Sequence, residues 1–301
     1  VLALGGATGE TLRTYEGTER TEEIIASDGV LYLVVGTSEA HRRGGGLHAR
    51  GEPDPTDFRF LTAVAADTGK TLWKKDLSKE NILPLSLAVR GQRVYFQTTA
   101  AMVCLDAKSG DEAWRTPRQT PQRRMSFSAP TLVATDGVVL CADRDTGKGE
   151  EGKPSDGTIE WGVHGWNEKG FARRTSSTLR AYDARTGREL WATKCREGYN
   201  SPTDVFVIGG IVWVGPGFQG LDLKTGEPVR KIDTKAPRVG MAHHRCYRDK
   251  ATERFILTGK SGVEVLSIEK GKWLSNNSSV SYTHLRAHET SLHLVCRLLL
   301  E

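Results

Sequence analysis

The feature that most restricts how this chain can fold is a recurring unit of the form LxxxDxxTGxxxW. It occurs as AVAADTGKTLW (Ala63 to Trp73), VCLDAKSGDEAW (Val103 to Trp114) and RAYDARTGRELW (Arg180 to Trp191). Degenerate copies are LALGGATGETLR (Leu2 to Arg13) and GLDLKTGEPVR (Gly220 to Arg230), and VLSIEKGKW (Val265 to Trp273) is a faint sixth. The turn glycines Gly9, Gly69, Gly110, Gly187 and Gly226 stand 60, 41, 77 and 39 residues apart. The underlying period is therefore close to 40. A unit of that size cannot bury its apolar face alone and must stack on neighbours.

Each unit is preceded by a hairpin pattern: IIASDGVLYLVVG (Ile24 to Gly36), LAVRGQRVYFQTT (Leu87 to Thr99), LVATDGVVLCADR (Leu132 to Arg144) and VFVIGGIVWVGPG (Val205 to Gly217). Asp28-Gly29, Asp136-Gly137 and Gly209-Gly210 suit two-residue hairpin loops, in which glycine accepts a positive φ. Hairpin plus repeat makes four strands, and a period near 40 matches one propeller blade. The expected fold class is all-β: a partial β-propeller of about five to six four-stranded blades over residues 1–279. The two long intervals hold insertions at 39–59 and 145–177, rich in Gly, Pro and charge as loops are.

The residue types explain themselves physically. The carboxylates of Asp106 and Asp183 can accept a backbone N–H two residues on, while Gly69, Gly110 and Gly187 take the left-handed conformation that closes the turn. Four residues later Trp73, Trp114 and Trp191 return on the strand, where an indole can lie over the next blade. Burying one removes roughly 150–250 Å² from water, worth a few kcal/mol before entropy is counted. Arg13 and Arg230 stand where Trp is expected, and Gly5 and Ala65 where the turn Asp is expected. An Arg there can stack through its planar guanidinium, but those blades should be stapled less firmly.

Composition narrows the function classes. With 301 residues, 33 of them glycine, and a net charge of +5 scattered rather than striped, the chain does not resemble a nucleic-acid binder. It has no apolar run of about 18 residues, so no helical membrane span is expected. Val1 opens inside a strand-like run without a methionine, which predicts that the gene continues upstream and leaves room for a signal peptide. The five cysteines have irregular spacing and no CxxC, as buried thiols do. One segment could carry metal chemistry, MAHHRCYRD, in which His244 and Cys246 would share a face of a strand. A metal would need further ligands, for which His164 and Cys195 are candidates; an ordinary strand or loop is the simpler reading. GVHGWNEKGF, with His164 and Trp166, is a candidate binding loop on the second insertion.

The LxxxDxxTGxxxW units resemble the tryptophan-docking repeats of the PQQ-binding-like, or quinoprotein-like, β-propellers. That superfamily includes quinoprotein alcohol dehydrogenases and non-catalytic scaffolds, so the likeness is specific for fold and poor for function. It covers most of residues 1–275. It implies a ring of about eight blades, of which this chain would be an arc. It also implies a periplasmic or extracellular location. Two functions follow: a non-catalytic scaffold or binding domain, taking a protein or polymer ligand on a propeller face or insertion loop, or part of a PQQ-dependent alcohol dehydrogenase. The second would imply PQQ with Ca²⁺, and such enzymes characteristically carry adjacent cysteines, which this sequence lacks. No catalytic residue, cofactor site or acidic metal cluster is evident, since Asp106, Asp183 and Asp222 are accounted for by turn chemistry.

Residues 280–301 do not continue the repeat. VSYTHLRAHET and LVCRLLLE, separated by Ser291, Leu292 and His293, closely resemble the conceptual translation of a sequencing-library adapter. The tail is therefore set aside as non-native, together with Cys296, His284, His288 and His293.

Overall fold

The computed structural model describes residues 1–36, 59–80, 82–83, 85–98, 100–118, 131–144, 176–196, 203–215, 217–232, 249–258 and 263–277. These form strands alone, with no helix among them. Strands β1 (Leu2–Leu4) and β2 (Thr11–Thr14) pair as a two-stranded sheet. Five four-stranded antiparallel meanders follow, each in sequential strand order. Blade I contains β3 (Thr21–Ser27), β4 (Val30–Val35), β5 (Phe60–Ala65) and β6 (Thr71–Asp76); blade II contains β7 (Ala88–Arg90), β8 (Arg93–Gln97), β9 (Ala101–Asp106) and β10 (Glu112–Pro117). Blade III contains β11 (Thr131–Ala134), β12 (Val138–Arg144), β13 (Ser176–Asp183) and β14 (Glu189–Arg196). Blade IV contains β15 (Val205–Ile208), β16 (Ile211–Val214), β17 (Gln219–Asp222) and β18 (Pro228–Arg230), and blade V β19 (Lys250–Ala251), β20 (Phe255–Thr258), β21 (Val263–Ser267) and β22 (Lys272–Asn277).

The first strands of blades I to IV lie beside one another, β3 by β7, β7 by β11 and β11 by β15. They form the inner side of the arc, and the fourth strands form its rim. Between blades the middle strands meet face to face: Tyr32, Leu61 and Ala63 of blade I pack against Val94, Phe96, Val103 and Leu105 of blade II. A corresponding cluster joins blades III and IV through Leu140, Leu179, Val212 and Leu221. The β-branched and aromatic residues of the second and third strands are thus covered on both sides, which is why those runs read as continuously apolar.

The repeated turn has one backbone form in the five copies closed by Gly9, Gly69, Gly110, Gly187 and Gly226. The residue four before the glycine accepts the glycine's N–H through its carbonyl, at 2.7 Å for Gly5 and Gly9, 2.8 Å for Ala65 and Gly69, and 2.9 Å for Asp106 and Gly110. Gly5 and Ala65 therefore keep the turn without the carboxylate. Each turn is followed by a bulge that leaves one residue of the rim strand unpaired: Val64 faces Thr71 while Ala63 faces Trp73, skipping Leu72. Leu12, Ala113, Leu190, Val229 and Leu274 are skipped in the same way. A bulge twists a free edge away from other strands, a common protection of exposed sheet edges.

Three details differ from the sequence reading. Gly137 does not take a positive φ, whereas Gly29, Gly209 and Gly210 do; at that turn Thr135 Oγ1 instead bridges to Val138, accepting its N–H at 3.0 Å. Ser176 and Ser177 already belong to β13, not to the insertion. In blade V, Leu266 faces Trp273 and Val265 faces Ser275. By register, Ser275 rather than Trp273 holds the place of Trp73, Trp114 and Trp191, and Trp273 instead meets Phe218 of blade IV, ring centroids 6.4 Å apart.

Candidate functional site

Because every blade is an up-and-down meander, its loops sort onto two faces. The turn between first and second strands and that between third and fourth lie on one, here the turn face. The second-to-third loops and the connections between blades lie on the other, the loop face.

The turn face is occupied by packing. Trp73 donates its Nε1–H to the Ala107 carbonyl of blade II at 2.9 Å, Trp114 to Ala184 of blade III at 3.1 Å, and Trp191 to Leu223 of blade IV at 3.1 Å. Each indole lies on the next turn glycine so closely that a Cβ would stand 2.7 Å from Trp73 at Gly110, 2.5 Å from Trp114 at Gly187 and 2.6 Å from Trp191 at Gly226. Arg13 and Arg230 substitute by donating Nη1–H to Thr68 and Ile268 carbonyls at 2.8 and 2.9 Å. Tyr95 also donates to the Ala184 carbonyl, at 3.2 Å. Asp106 Oδ1 accepts the N–H groups of Lys108 and Ser109 at 2.9 and 3.0 Å, and Asp183 Oδ1 those of Arg185 and Thr186 at 3.1 and 2.7 Å. Hydrogen bonds from Ser109 and Thr186, respectively, hold the Asp106 and Asp183 carboxyls below the usual carboxylate range.

The loop face differs in kind. Nearly all the buried polar side chains among the described residues gather at that end of the sheets, including Thr18, Ser86, Gln97, Thr98, Arg118, Thr131, Ser177, Thr203, Thr258 and Glu264; Ser267 is the exception, at the turn end of β21. Arg118, with a side chain only 4% exposed, forms an ion pair with Asp143 of blade III and donates Nη1–H to the Thr98 carbonyl at 3.0 Å. A small cavity of about 20 Å³ opens beside this pair, lined by Met102, Arg118, Cys141, Asp143, Arg180 and Tyr182 among others. Gln97 is fully buried; its Oε1 accepts from Cys141 Sγ at 3.4 Å, while its Nε2 finds no partner among the described residues. On the inner strand of blade I, Glu23 Oε1 accepts the Leu87 N–H at 3.0 Å, and burial pushes its carboxyl up to about 8.

The sequence did not single out Glu23, Gln97, Arg118 or Asp143. A buried charge is a contextual property, and no local pattern marked these four residues in the sequence. His164, Trp166, His244 and Cys246 lie outside the described residues. Cys195 is buried on β14, its Sγ 3.5 Å from Thr203 Oγ1 and packed in the cluster between blades III and IV. No group of three potential metal-ligating side chains occurs among the described residues, nor does any helix long and apolar enough to cross a membrane.

Over 150 residues the chain is 30% identical to a 1-butanol dehydrogenase (quinone) of Thauera butanivorans, a match covering 47% of this chain and 21% of the relative. It is 33% identical over 112 residues to the outer membrane protein assembly factor BamB of Yersinia pestis, covering 34% of this chain and 27% of the relative. The chain therefore matches only about a quarter of the length of these curated relatives. The crystal structure of BamB from Moraxella catarrhalis superposes with a TM-score of 0.51 at 15% identity, over 89% of this chain and 68% of that one, and shares its fold. With recurring four-stranded blades, tryptophans docked on turn glycines, and a family model described as outer membrane protein assembly factor BamB matching residues 4–164, the chain belongs to that family of PQQ-like repeat propellers.

Proposed function

We propose that this chain is a non-catalytic binding scaffold of an extracytoplasmic protein, taking a protein or polymer partner on its loop face. The observation that carries the reading is the division of labour between the faces. The turn face is closed by short, internally hydrogen-bonded turns and docked indoles, whereas the loop face is underlain by a buried ion pair and polar side chains that fix the blade ends from which the long connections depart. Rigid scaffolds with variable loops on one face are a usual platform for recognition. The likeness to an outer membrane protein assembly factor supports both a protein partner and a periplasmic or extracellular location.

The likeness to a 1-butanol dehydrogenase (quinone) favours a second reading, a PQQ-dependent oxidoreductase. The described residues do not fit a quinone with its metal. Trp73, Trp114 and Trp191 are held between blades, Trp213 is fully buried, and the carboxylates of Asp106, Asp183 and Asp222 are engaged by their own turns.

The test places a photo-crosslinking residue at Ala100 or Gln219 on the loop face and at Lys108 or Arg185 on the turn face of the full-length protein in its host. Adducts with a defined partner from the loop-face positions alone are expected. Equal adducts from both faces would sink the face assignment, and dye-linked alcohol oxidation after addition of PQQ and Ca²⁺ would replace the scaffold with the enzyme.

A further inference from the structure

The seam between blades II and III departs from the seam before it. Register equates the two position by position: the Arg118 N–H bonds the Ala100 carbonyl just as the Leu77 N–H bonds that of Arg59, both at 2.8 Å. Gln97 is paired with Met102 as Val34 is with Leu61, and Cys141 with Arg180 as Phe96 is with Val103. Val139 is likewise paired with Tyr182 as Val94 is with Leu105. Between blades I and II, Leu77, Val34, Phe96, Val103 and Leu105 belong to one apolar cluster. Between blades II and III their places are taken by Arg118, Gln97, Cys141, Arg180 and Tyr182. A repeat that breaks its own core pattern loses packing and must match buried polar groups, and such departures are expected at functional sites.

The exchange leaves hydrogen-bond donors in surplus. Gln97 is fully buried, and its Nε2 finds no partner among the described residues. It stands between Met102, its cross-strand partner, and Cys141, both of which line the small cavity beside Arg118. Arg180, also in the cavity wall, makes one hydrogen bond among the described residues, from Nη1 to Glu189 Oε2 at 3.1 Å. That pair is partly exposed, with side chains 25% and 40% accessible, so it is weak and leaves most of the guanidinium's donors unused. The Tyr182 hydroxyl makes no hydrogen bond among the described residues, and burial pushes its phenol up, so it stays a donor at neutral pH. The charge of Asp143 is already matched by Arg118. A cavity of about 20 Å³ has room for one water-sized group. We infer that this seam is a binding site for a carboxylate, one oxygen of which enters the cavity and accepts from this donor set. Charge-assisted bonds to a guanidinium are the strong ones, and a buried donor is costly to leave unpaired, so an anionic acceptor suits the wall better than a neutral one. Two sources carry this chemistry, an acidic side chain of a protein partner and a free small monocarboxylate; the first rests on the loop-face reading and the second does not.

The test is an NMR titration of the whole chain, isotope-labelled at arginine and tyrosine, with sodium acetate at constant ionic strength. Saturable shifts of the Arg180 Nε–H and Tyr182 ring signals are expected, with chloride and acetamide binding about tenfold more weakly or worse, the factor that one charge-assisted bond supplies. Arg180→Gln should lose acetate binding by a similar factor. Drift without saturation, an equal response to chloride, or binding unchanged in Arg180→Gln would overturn the site. Should Arg180→Gln fail to fold, the contrast of acetate with chloride and acetamide decides alone. Adducts from the Ala100 crosslinker distinguish the sources. Their loss in Arg180→Gln, or on adding acetate, assigns the carboxylate to the partner, whereas unchanged adducts beside saturable acetate binding assign it to a free monocarboxylate. Absence of loop-face adducts altogether refutes the scaffold reading and leaves the acetate result standing.

Discussion

Replacing Gly187 by alanine separates two costs that coincide in the repeat. The residue has φ +71°, so a Cβ meets left-handed strain, and that Cβ would also stand 2.5 Å from Cε3 and 2.7 Å from Cδ2 of Trp114. Gly69 provides the comparison, with φ +76° but nothing nearer than Arg13 Cδ at 3.5 Å, the flexible end of a side chain. Strain alone costs about 1–2 kcal/mol, reduced by about 0.4–1 kcal/mol because alanine restricts the unfolded chain. Gly69→Ala should therefore lose about 1 kcal/mol. At Gly187 the indole must also move, losing its hydrogen bond to Ala184, worth about 1 kcal/mol, and part of a burial whose removal costs about 3–5 kcal/mol when a Trp is truncated. Gly187→Ala should lose about 3–5 kcal/mol in all. Urea denaturation measures the totals, and amide exchange in β10 and β13 localises the loss to the junction of blades II and III. Adding Trp114→Ala to Gly187→Ala should cost clearly less than the two single losses combined, because both remove one contact. If Gly187→Ala lies within about 0.5 kcal/mol of Gly69→Ala, the indole does not couple the blades as argued.

The buried pair on the loop face makes a second test: Arg118→Met or Asp143→Leu alone should destabilise by about 3–5 kcal/mol by stranding a charge, while the double variant should recover most of that loss in the same denaturation assay. Trp213 is fully buried with an Nε1–H that finds no partner among the described residues, so Trp213→Phe should cost less in thermal melting than Trp114→Phe, which gives up a bond to Ala184. Cys104, Cys141 and Cys195 are buried thiols, and burial pushes Cys104 up to about 11; Ellman's reagent should label none of the three until denaturant is added. The carboxyls of Asp106, Asp183 and Asp222 stand below their ordinary 3.8, so their contribution is fully present above that value and is lost only as pH falls below it through the lowered folded-state values, read as rising exchange at Ser109, Thr186 and Thr225.

Much of the fold was legible in the chain itself. The turn is made by bonds between residues four and five apart, and the left-handed glycine is demanded wherever it closes. Such short-range requirements are written in consecutive residues, so the period, the strand class and the placing of Trp73, Trp114 and Trp191 where an indole can lie over a neighbouring blade could be expected from spacing, whereas the carbonyls they donate to could not. The same locality misled in blade V. Trp273 follows a turn glycine and looks like the repeat's indole, but the cross-strand register assigns its place to Ser275.

What the sequence determined by itself is the blade, because its turn and alternating strands rest on neighbours along the chain. What only the tertiary structure decided is the polar layer of the loop face. Glu23 meets Leu87 across 64 positions, Gln97 meets Cys141 across 44, and Arg118 meets Asp143 across 25. Whether a carboxylate or guanidinium is buried, and by what it is matched, depends on which blades stack and at what height. No run of adjacent residues encodes that, since desolvation is a property of the assembled surroundings.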